Sequence, residues 1–272
     1  MDGIKTALIT GGSSGIGLEY VREFIARGYS AALVSNREDE LASAKEALER
    51  ESGTTVYTLC IDLTANGSSE KILAWCDSLG LEVEVLVNNA GMFFMEYLSP
   101  ENLGKARTMI ELHVNSITEL CVLFGSRMKE RGKGYILNMS SMTANIPAPG
   151  IAVYSASKAY LKSFGKGFSY EMRPFGVKVT TVCPAAIDTG LYPLSDGLRK
   201  TLRRLGIIRS PRWLVRRATR ALIRGRRVVS PGLTNAIVPA LVALLPSRTK
   251  DRLGMKWIYK SKNLTNSSTS RL

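Results

Sequence analysis

A glycine-rich turn joins an apolar stretch to a helical pattern near the start of the chain. The apolar stretch is Ala7–Ile9, and the turn runs over Thr10–Gly17 with the spacing G-x-x-x-G-x-G. Glycines let the backbone turn sharply and approach a phosphate without a Cβ in the way. The helix that follows offers N–H groups and the positive end of its dipole to an anion. The order of strand, glycines and helix predicts a nucleotide pyrophosphate site, with a plain tight turn as the alternative.

Short β-rich runs alternate with amphipathic helical stretches along most of the chain. This alternation predicts parallel strands joined by right-handed crossovers. Strands are expected at 4–10, 30–35, 55–61, 83–88, 134–140, 177–183 and 226–230. Helices are expected at 15–28, 38–51, 68–79, 101–130, 152–173, 196–206, 211–224 and 233–245. The sequence thus predicts an α/β fold, a doubly wound Rossmann-type parallel sheet of about seven strands with helices on both faces.

The size and hydrophobicity of the chain favour one large domain. It has 272 residues, 45% of them hydrophobic, which is enough to bury a single core. It has no run of 18 apolar residues and its first predicted strand starts at Ile4, so neither a spanning helix nor a signal peptide is expected. The four cysteines have apolar neighbours and no metal-like spacing. They favour reduced, packed thiols, no metal site and a cytoplasmic location.

Further motifs lie at predicted strand ends and on a helix. Asn88–Gly91 reads Asn-Asn-Ala-Gly, where small residues allow close approach and amides can tie strand ends together; a plain turn is the alternative. Ser140 and Ser141 follow the fifth predicted strand. Tyr154 and Lys158 stand four apart, on one face of a helix. A free tyrosine exchanges protons poorly at neutral pH, and a nearby ammonium favours its phenolate.

These motifs, at these spacings, resemble the short-chain dehydrogenase/reductase family over about residues 4–190. The resemblance implies that Tyr154 is the general acid in carbonyl reduction and the base in alcohol oxidation. It implies that Lys158 assists this proton transfer and holds the nicotinamide ribose. Ser141 would hydrogen-bond the substrate carbonyl where negative charge develops. Asn115 would position a water for proton relay to the lysine, with a helix-bending core amide as the alternative.

The resemblance also implies a nicotinamide dinucleotide site along the strand ends. After the sixth strand the family usually has Pro-Gly, and this chain has Pro184 and Ala185. Alanine restricts the backbone there, and we expect binding to persist. No role in the family falls on His113, which is expected to be a packed or surface residue. The implied cofactor residues are Gly11, Ser13, Ser14, Gly15, Ile16, Gly17, Asn36, Arg37, Asp62, Leu63, Asn89, Ala90, Gly91, Tyr154, Lys158, Pro184, Ile187 and Thr189.

The end of the second strand distinguishes the two nicotinamide cofactors. An NAD enzyme of the family normally has Asp at the position aligned with Asn36, bonding the ribose 2′-hydroxyl. Here that carboxylate is absent and Arg37 follows, a planar fork suited to a phosphate, with Ser13 and Ser35 as further donors. Pairing of the arginine with an acid of 38–40 in solvent is the alternative. NADP(H) is the expected cofactor.

The segments expected to meet the substrate are apolar and rich in methionine and aromatic residues. They are 92–97, 142–151 and 191–194. They favour a lipophilic ketone or secondary alcohol, as for a hydroxysteroid or bile acid dehydrogenase, and packing under a loop lid explains them equally well. A ketoacyl or general carbonyl reductase is the alternative. A non-catalytic module that binds RNA or membrane is disfavoured by the complete catalytic set.

Family members commonly pair two long helices into a four-helix interface, so a homodimer or homotetramer is expected. The helices concerned would be 101–130 and 152–173. On the second, Phe164, Phe168 and Met172 recur at helical spacing. They could face a partner or, equally, the sheet.

Positive charge is concentrated in the C-terminal part of the chain. The formal net charge is +14, yet residues 196–272 hold 19 lysines and arginines against Asp196 and Asp251 alone. We expect 1–190 to form a dinucleotide-binding and catalytic core, and 191–272 a basic helical substrate lid and extension of the same domain. A solvated helical face is the commonest cause of such a charge run. The sharper alternative is peripheral contact with an anionic membrane, or steering of an acidic substrate.

Overall fold

In the part of the chain that the structure describes, seven parallel strands form one sheet. This computed structural model describes residues 4–188, 197 and 208–232, and the single positions 235, 238, 241, 242, 244, 246, 248, 249 and 252. The strands are β1 (Ile4–Thr10), β2 (Ser30–Ser35), β3 (Val56–Cys60), β4 (Leu81–Asn88), β5 (Gly134–Met139), β6 (Val177–Val182) and β7 (Val228–Val229). Their order is β3-β2-β1-β4-β5-β6-β7.

Helices connect the strands. They are α1 (Gly15–Ile25), α2 (Glu38–Ser52), α3 (Ser68–Ser78), α4 (Leu103–Ile110), α5 (Ser116–Glu130), α6 (Ala152–Met172) and α7 (Pro211–Ile223). A π-helical turn, Glu111–Asn115, joins α4 directly to α5. Short 3-10 turns occupy Pro100–Asn102, Met142–Asn145 and Arg173–Phe175.

The sheet is buried on both faces, as the near-continuous apolar strands require. One buried cluster packs α1, α2 and α7 against it, with Phe24 and Leu214 among its members. The other packs α3, α5 and α6 on the opposite face, with Phe124 and Leu161. The doubly wound Rossmann-type sheet with helices on both faces is therefore confirmed.

The sheet order reverses beside β1, and this reversal opens a cleft. β1 pairs with β2 on one side and β4 on the other, both parallel. The connections that leave the carboxyl ends of β1 and β4 run in opposite directions, so the chain leaves a crevice between them. Open α/β sheets bind their ligands at such a point. The glycine turn follows β1 there, and Asn89 follows β4.

Several expectations need correction. The helix expected at 101–130 is divided by the π turn, because hydrophobic periodicity cannot register one extra residue in a turn. β7 has only two residues of the five expected. Three cysteines are buried, but Cys60 is exposed. The expected helix 196–206, apart from residue 197, and most of the expected helix 233–245 lie outside the described residues.

Phe168 and Met172 face the sheet rather than a partner. Both are buried in the cluster of α3, α5 and α6, and Phe164 packs against that cluster at its edge. Phe164 also stacks between Tyr160 and Phe168, with ring centres 5.6 and 5.4 Å away. Of the large hydrophobic side chains on α5 and α6, Val122, Tyr160 and Tyr170 are exposed.

Candidate active site

The glycine turn brings α1 up against the end of β4. Gly11 and Gly15 adopt left-handed φ values of 63° and 55°, which favour glycine. A Cβ on Gly17 would collide with the carbonyl oxygen of Gly11 and crowd the amide of Asn89. Ser14 precedes α1 in extended backbone, and its hydroxyl does not cap the helix. The first turn of α1 thus keeps its N–H groups available at the cleft.

Hydrogen bonds tie the end of β4 to the end of β1. The backbone N–H groups of Asn89 and Ala90 both donate to Thr10 Oγ1, at 3.0 Å each. Asn89 Nδ2 donates to the carbonyl oxygens of Thr10 and Gly11, at 3.1 and 3.2 Å. Asn88, the last residue of β4, ties this strand to β5, because its Nδ2 donates to Asn138 Oδ1 at 2.8 Å. The asparagine turn therefore fixes the floor of the cleft, as its amides suggested.

Ser141, Tyr154 and Lys158 line one cavity of about 600 Å³. All three are buried, with 5 to 7% of their surface exposed. Lys158 Nζ donates to the carbonyl oxygen of Met139 at 3.0 Å and lies 5.6 Å from the centre of the Tyr154 ring. Burial lowers the pKa of the Lys158 ammonium to about 7, and only the nearby Cys183 opposes this shift. The three side chains can thus act on one bound group.

A second cavity, of about 560 Å³, adjoins the first and extends it towards the end of β2. The two cavities share Ser14, Arg37, Asn89, Gly91 and Met92 in their linings. Together they bring to one cleft every expected cofactor residue except Gly17, which lies behind it, and Thr189, which is outside the described residues. The cleft runs from the glycine turn past Asp62 and Leu63 to Pro184 and Ile187.

A cluster of charged and polar side chains lies at the end of the cleft beside β2. Arg37 forms an ion pair with Glu40 at 3.3 Å, and its side chain stays 69% exposed. Ser13 donates to Glu40 Oε2 at 3.1 Å and lies 3.2 Å from Ser35 Oγ. The pairing of Arg37 with a neighbouring acid is thus present. Glu40 also lines the second cavity, whereas the sequence suggested it only as a partner of the arginine in solvent.

The catalytic role expected for Asn115 needs correction. Its side chain is exposed and does not line the cavity; Nδ2 donates to Glu111 Oε2 at 2.7 Å across the π turn. The buried face of this segment is marked by Met109, Ile117 and Leu120. Asn115 lies away from that face and so cannot direct its amide into the site.

His113 lies in the site, although no role there was expected of it from the sequence. It is fully buried, as one of the two expectations had it, and it lines the same cavity as Tyr154 and Lys158. The signal was present in the sequence, because position 113 is one helical turn from Met109 and from Ile117. A buried helical face therefore includes it.

Apolar side chains form a wall beside the tyrosine. Phe93 meets the Tyr154 ring edge-to-face, with ring centres 4.9 Å apart. Met92, Phe94 and Met95 pack in the same cluster, as do Met109 and Ile151. The expected substrate segments 92–97 and 142–151 thus meet at the tyrosine, while 191–194 lies outside the described residues. Among the residues described, no group of three or more histidine, cysteine or acidic side chains could hold a metal ion.

Known proteins share this sequence pattern and this fold. The family described as short chain dehydrogenase matches residues 5–195. The 17-beta-hydroxysteroid dehydrogenase type 3 of Mus musculus is 34% identical over 199 residues, which cover 72% of this chain and 64% of that protein. The very-long-chain 3-oxoacyl-CoA reductase-A of Danio rerio is 32% identical over 194 residues, 68% of this chain and 59% of that protein. The chain thus spans about three fifths of these relatives' length.

Solved structures agree with these sequence relatives. A short-chain dehydrogenase from Sphingobium yanoikuyae in complex with NADPH has a TM-score of 0.73 and 27% identity, covering 89% of this chain and 96% of that one. The bulky-bulky ketone specific alcohol dehydrogenase from Comamonas testosteroni has a TM-score of 0.73 and 25% identity, covering 98% of this chain and 94% of that one. By its sequence match and its doubly wound fold, this chain belongs to the short-chain dehydrogenase/reductase family.

Proposed function

We propose that the protein is an NADP(H)-dependent oxidoreductase that transfers a hydride between the nicotinamide and a lipophilic ketone or secondary alcohol. The observation that carries the proposal is the convergence of Ser141, Tyr154 and Lys158 on one cavity that continues into a glycine-lined cleft. A chain relieved of chemistry would have no need for this set. A binding module that only grips RNA or membrane is therefore disfavoured.

Each of the three side chains has a distinct task in reduction. Tyr154 gives its phenolic proton to the carbonyl oxygen and, in the reverse direction, takes it from the alcohol. The Ser141 hydroxyl donates a hydrogen bond to the same oxygen, where negative charge grows. Lys158, held by the carbonyl of Met139, supplies a positive charge that favours the phenolate. Its lowered pKa makes this charge sensitive to pH near neutrality.

The cleft fits a nicotinamide dinucleotide. Gly17 has no room for a Cβ, and the first turn of α1 is left uncapped by a side chain, as a bound pyrophosphate needs. Asp62 and Leu63 line one part of the cleft, where the adenine would lie, and Pro184 and Ile187 line the other, where the nicotinamide would lie. When bound, the cofactor supplies or accepts the hydride. The chain's residues orient it and hold the proton at the Tyr154 oxygen.

NADP(H) rather than NAD(H) is proposed because Asn36 offers no carboxylate to the ribose 2′-hydroxyl. Arg37 stands beside it with most of its side chain exposed, and its guanidinium can bind a phosphate. The NADPH complex of the Sphingobium yanoikuyae neighbour supports this choice. Glu40 opposes it, because a 2′-phosphate would have to displace this carboxylate from Arg37 and Ser13.

The proposed substrate is a hydroxysteroid or bile acid, with its ketone at Tyr154. The wall of Met92, Phe93 and Ile151 is apolar and adaptable in shape. One of the sequence relatives is named as a 17-beta-hydroxysteroid dehydrogenase, and a solved neighbour takes bulky ketones. Both names fit a large lipophilic carbonyl compound.

A ketoacyl reductase is the second candidate, and a specific observation favours it. The backbone of Arg209 pairs with that of Ile187, a residue of the cavity wall. The arginine-rich stretch 209–227 therefore starts at the mouth of the active site. An acyl thioester whose carrier bears phosphates would meet positive charge there. Several of the sequence relatives are named as very-long-chain 3-oxoacyl-CoA reductases.

A substrate panel tests the function. NADPH oxidation is followed at 340 nm with 17-ketosteroids, 7-oxo bile acids and 3-oxoacyl-CoA thioesters, each against NADH. We expect turnover with at least one class and a preference for NADPH. Turnover of thioesters alone selects the second candidate. No turnover of any carbonyl compound in either direction, with NADPH bound, would leave the binding-module alternative.

Assembly and location follow as further parts of the proposal. We propose a homodimer or homotetramer built on α5 and α6, where Val122 and Tyr160 are exposed. Sedimentation equilibrium at micromolar concentration tests it, and monomer alone contradicts it. We further propose that the protein is cytoplasmic and that the exposed arginines of residues 209–226, which we call the basic face, contact an anionic membrane. Within the described residues, no helix has the length and apolarity needed to cross a bilayer.

A further inference from the structure

His113 is the only histidine of the chain and contacts two segments of the active site. It lies in the π turn and is fully buried. Its Nε2 atom accepts a hydrogen bond from the backbone N–H of Met92 at 3.1 Å. Its Nδ1 atom lies 3.0 Å from Ser157 Oγ. The imidazole therefore spans the gap between the loop after β4 and the catalytic helix α6.

The Met92 contact fixes which nitrogen carries the proton. A backbone N–H can only donate, so Nε2 must offer its lone pair and the neutral ring must be protonated at Nδ1. Nδ1 then donates to Ser157 Oγ, and the Ser157 hydroxyl donates onward to the Tyr154 carbonyl oxygen at 2.8 Å. One continuous chain of hydrogen bonds runs from Met92 to the backbone of Tyr154.

The surroundings hold the ring in this form. Burial, and then the nearby Lys158, lower the pKa of His113 to about 2, so it is neutral at any working pH. The ring meets Tyr154 edge-on, with centres 5.9 Å apart. A Cβ on Gly91 would approach Nε2 at 3.0 Å, so the loop lies as close to the ring as a glycine allows.

We propose that His113 is a positioning residue that sets the spacing between the cofactor side of the cleft and Tyr154. The inference rests on the proposed function. Residues 89–92 line the cleft where the nicotinamide half would lie, and Tyr154 carries the proton to be transferred. The hydride and the proton must reach one carbonyl group from these two sides. A small change in their spacing is costly, because rates depend steeply on the alignment of reacting groups.

Four substitutions, three at His113 and one at Ser157, separate the hydrogen bonds from the volume of the ring. His113→Phe keeps an aromatic ring but offers Met92 no acceptor and Ser157 no donor. His113→Gln can place Oε1 near the position of Nε2 and so restore the acceptor for Met92. His113→Asn is shorter and retains only a donor for Ser157. Ser157→Ala removes the far end of the same chain without touching the loop.

Kinetics at saturating NADPH and ketone test the inference. We expect kcat to fall roughly ten- to hundredfold in His113→Phe, with the Kd for NADPH within about threefold of wild type. His113→Gln should recover most of the loss, and His113→Asn less. Wild-type kcat in His113→Phe, or equal losses in Phe and Gln, would overturn it. If the Phe variant does not fold, the order of Gln above Asn still decides.

A second measurement needs no substrate and so stands apart from the proposed function. Tag-free protein labelled with ¹⁵N-histidine gives one pair of ring-nitrogen resonances, since the chain has one histidine. We expect the neutral tautomer protonated at Nδ1, unchanged from pH 8 to pH 5. A ring that titrates near its usual pKa, or that is protonated at Nε2, contradicts the hydrogen-bond chain. Failure of turnover in the wild type would instead bear on the function.

Discussion

At the scale of single residues, Arg37 and Glu40 compete for the same position at the end of the cleft. Their ion pair is exposed and so contributes little to folding. A bound 2′-phosphate would replace the carboxylate as the partner of the guanidinium. The two residues should therefore act in opposite directions on cofactor choice.

We expect Arg37→Ala to weaken NADPH binding about 10- to 100-fold while NADH binding changes little, since only NADPH carries the 2′-phosphate. Glu40→Gln should tighten NADPH binding several-fold by removing a like charge. Fluorescence titration of both cofactors measures this, with Arg50→Ala, an exposed arginine paired elsewhere on α2, as the control. Unchanged NADPH affinity in Arg37→Ala, or a wild-type preference for NADH, contradicts the assignment.

Two buried bases make the cofactor-free protein sensitive to acid. The pKa of Lys158 is lowered to about 7 and that of His113 to about 2, whereas in the unfolded chain both are ordinary. The folded state therefore binds fewer protons, and stability rises with pH, from about 7 to 10.5 for the lysine and from about 2 to 6.5 for the histidine. Acidification removes both contributions.

The pH range in which Lys158 changes the free energy of unfolding is the one that can be measured most readily. Urea midpoints of wild type should rise from pH 7 to pH 9, with a slope of at most about 1.4 kcal/mol per pH unit from this group. Lys158→Met keeps the apolar stem and should flatten the rise, with higher stability than wild type at pH 7. A profile of equal slope in both proteins would mean that the lysine is not desolvated as its burial indicates.

At the scale of elements, the turn before α1 is the part most dependent on glycine. Gly17→Ala forces a methyl group against the carbonyl oxygen of Gly11 and the amide of Asn89, so α1 must shift away from the ends of β1 and β4. We expect NADPH affinity to fall at least tenfold and the melting temperature to drop. Gly167→Ala is the matched control, since Gly167 lies in α6 with open space around its Cα. It should be neutral or stabilising.

If NADPH binds Gly17→Ala and Gly167→Ala with equal affinity, the glycine turn is not the phosphate site. Differential scanning fluorimetry on the same samples separates loss of binding from loss of folding. A destabilised Gly17→Ala that still binds NADPH normally would point to the same conclusion.

Some elements of the site could be predicted from the sequence and others could not. The first strand and the glycine turn follow from local chemistry. Ala7–Ile9 is apolar enough to be buried, and the glycines that follow favour a sharp turn. Position 115 was misplaced because motif matching does not count helical turns. The spacing of Met109 and Ile117 puts His113, not Asn115, on the buried face, and the intervening π turn leaves no mark in composition.

At the scale of the whole molecule, positive charge is concentrated on the surface formed by α7 and the residues beside it. α7 buries Leu214, Ala218 and Leu222 against the sheet and turns its arginines outwards. No acidic residue occurs in 208–232. The guanidinium groups of Arg209 and Arg217 flank the Trp213 ring at 5.3 and 4.8 Å. The exposed arginines of this basic face are Arg209, Arg212, Arg216, Arg217, Arg220, Arg224 and Arg226.

The basic face should bind anionic vesicles in a salt-sensitive way, with about 1 kcal/mol for each arginine at the surface. Cosedimentation with vesicles containing 30% phosphatidylserine should be seen at about 50 mM salt and be lost at about 500 mM. Substituting Arg216, Arg217 and Arg220 by Ser should weaken it about 100-fold. A triple Ser variant at Arg50, Lys71 and Lys166, all exposed elsewhere, is the control. No binding at low salt leaves a solvated face.

The proposed reaction depends on one proton, which Tyr154, beside the buried Lys158, gives to a bound carbonyl group. Tyr154→Phe removes the hydroxyl but keeps the ring that packs against Phe93. With a ketone that the wild type reduces, we predict that this variant binds NADPH with unchanged Kd and melts at the wild-type temperature within a few degrees. Its kcat should fall by about three orders of magnitude or more. Near wild-type turnover in Tyr154→Phe would contradict the proposed mechanism directly.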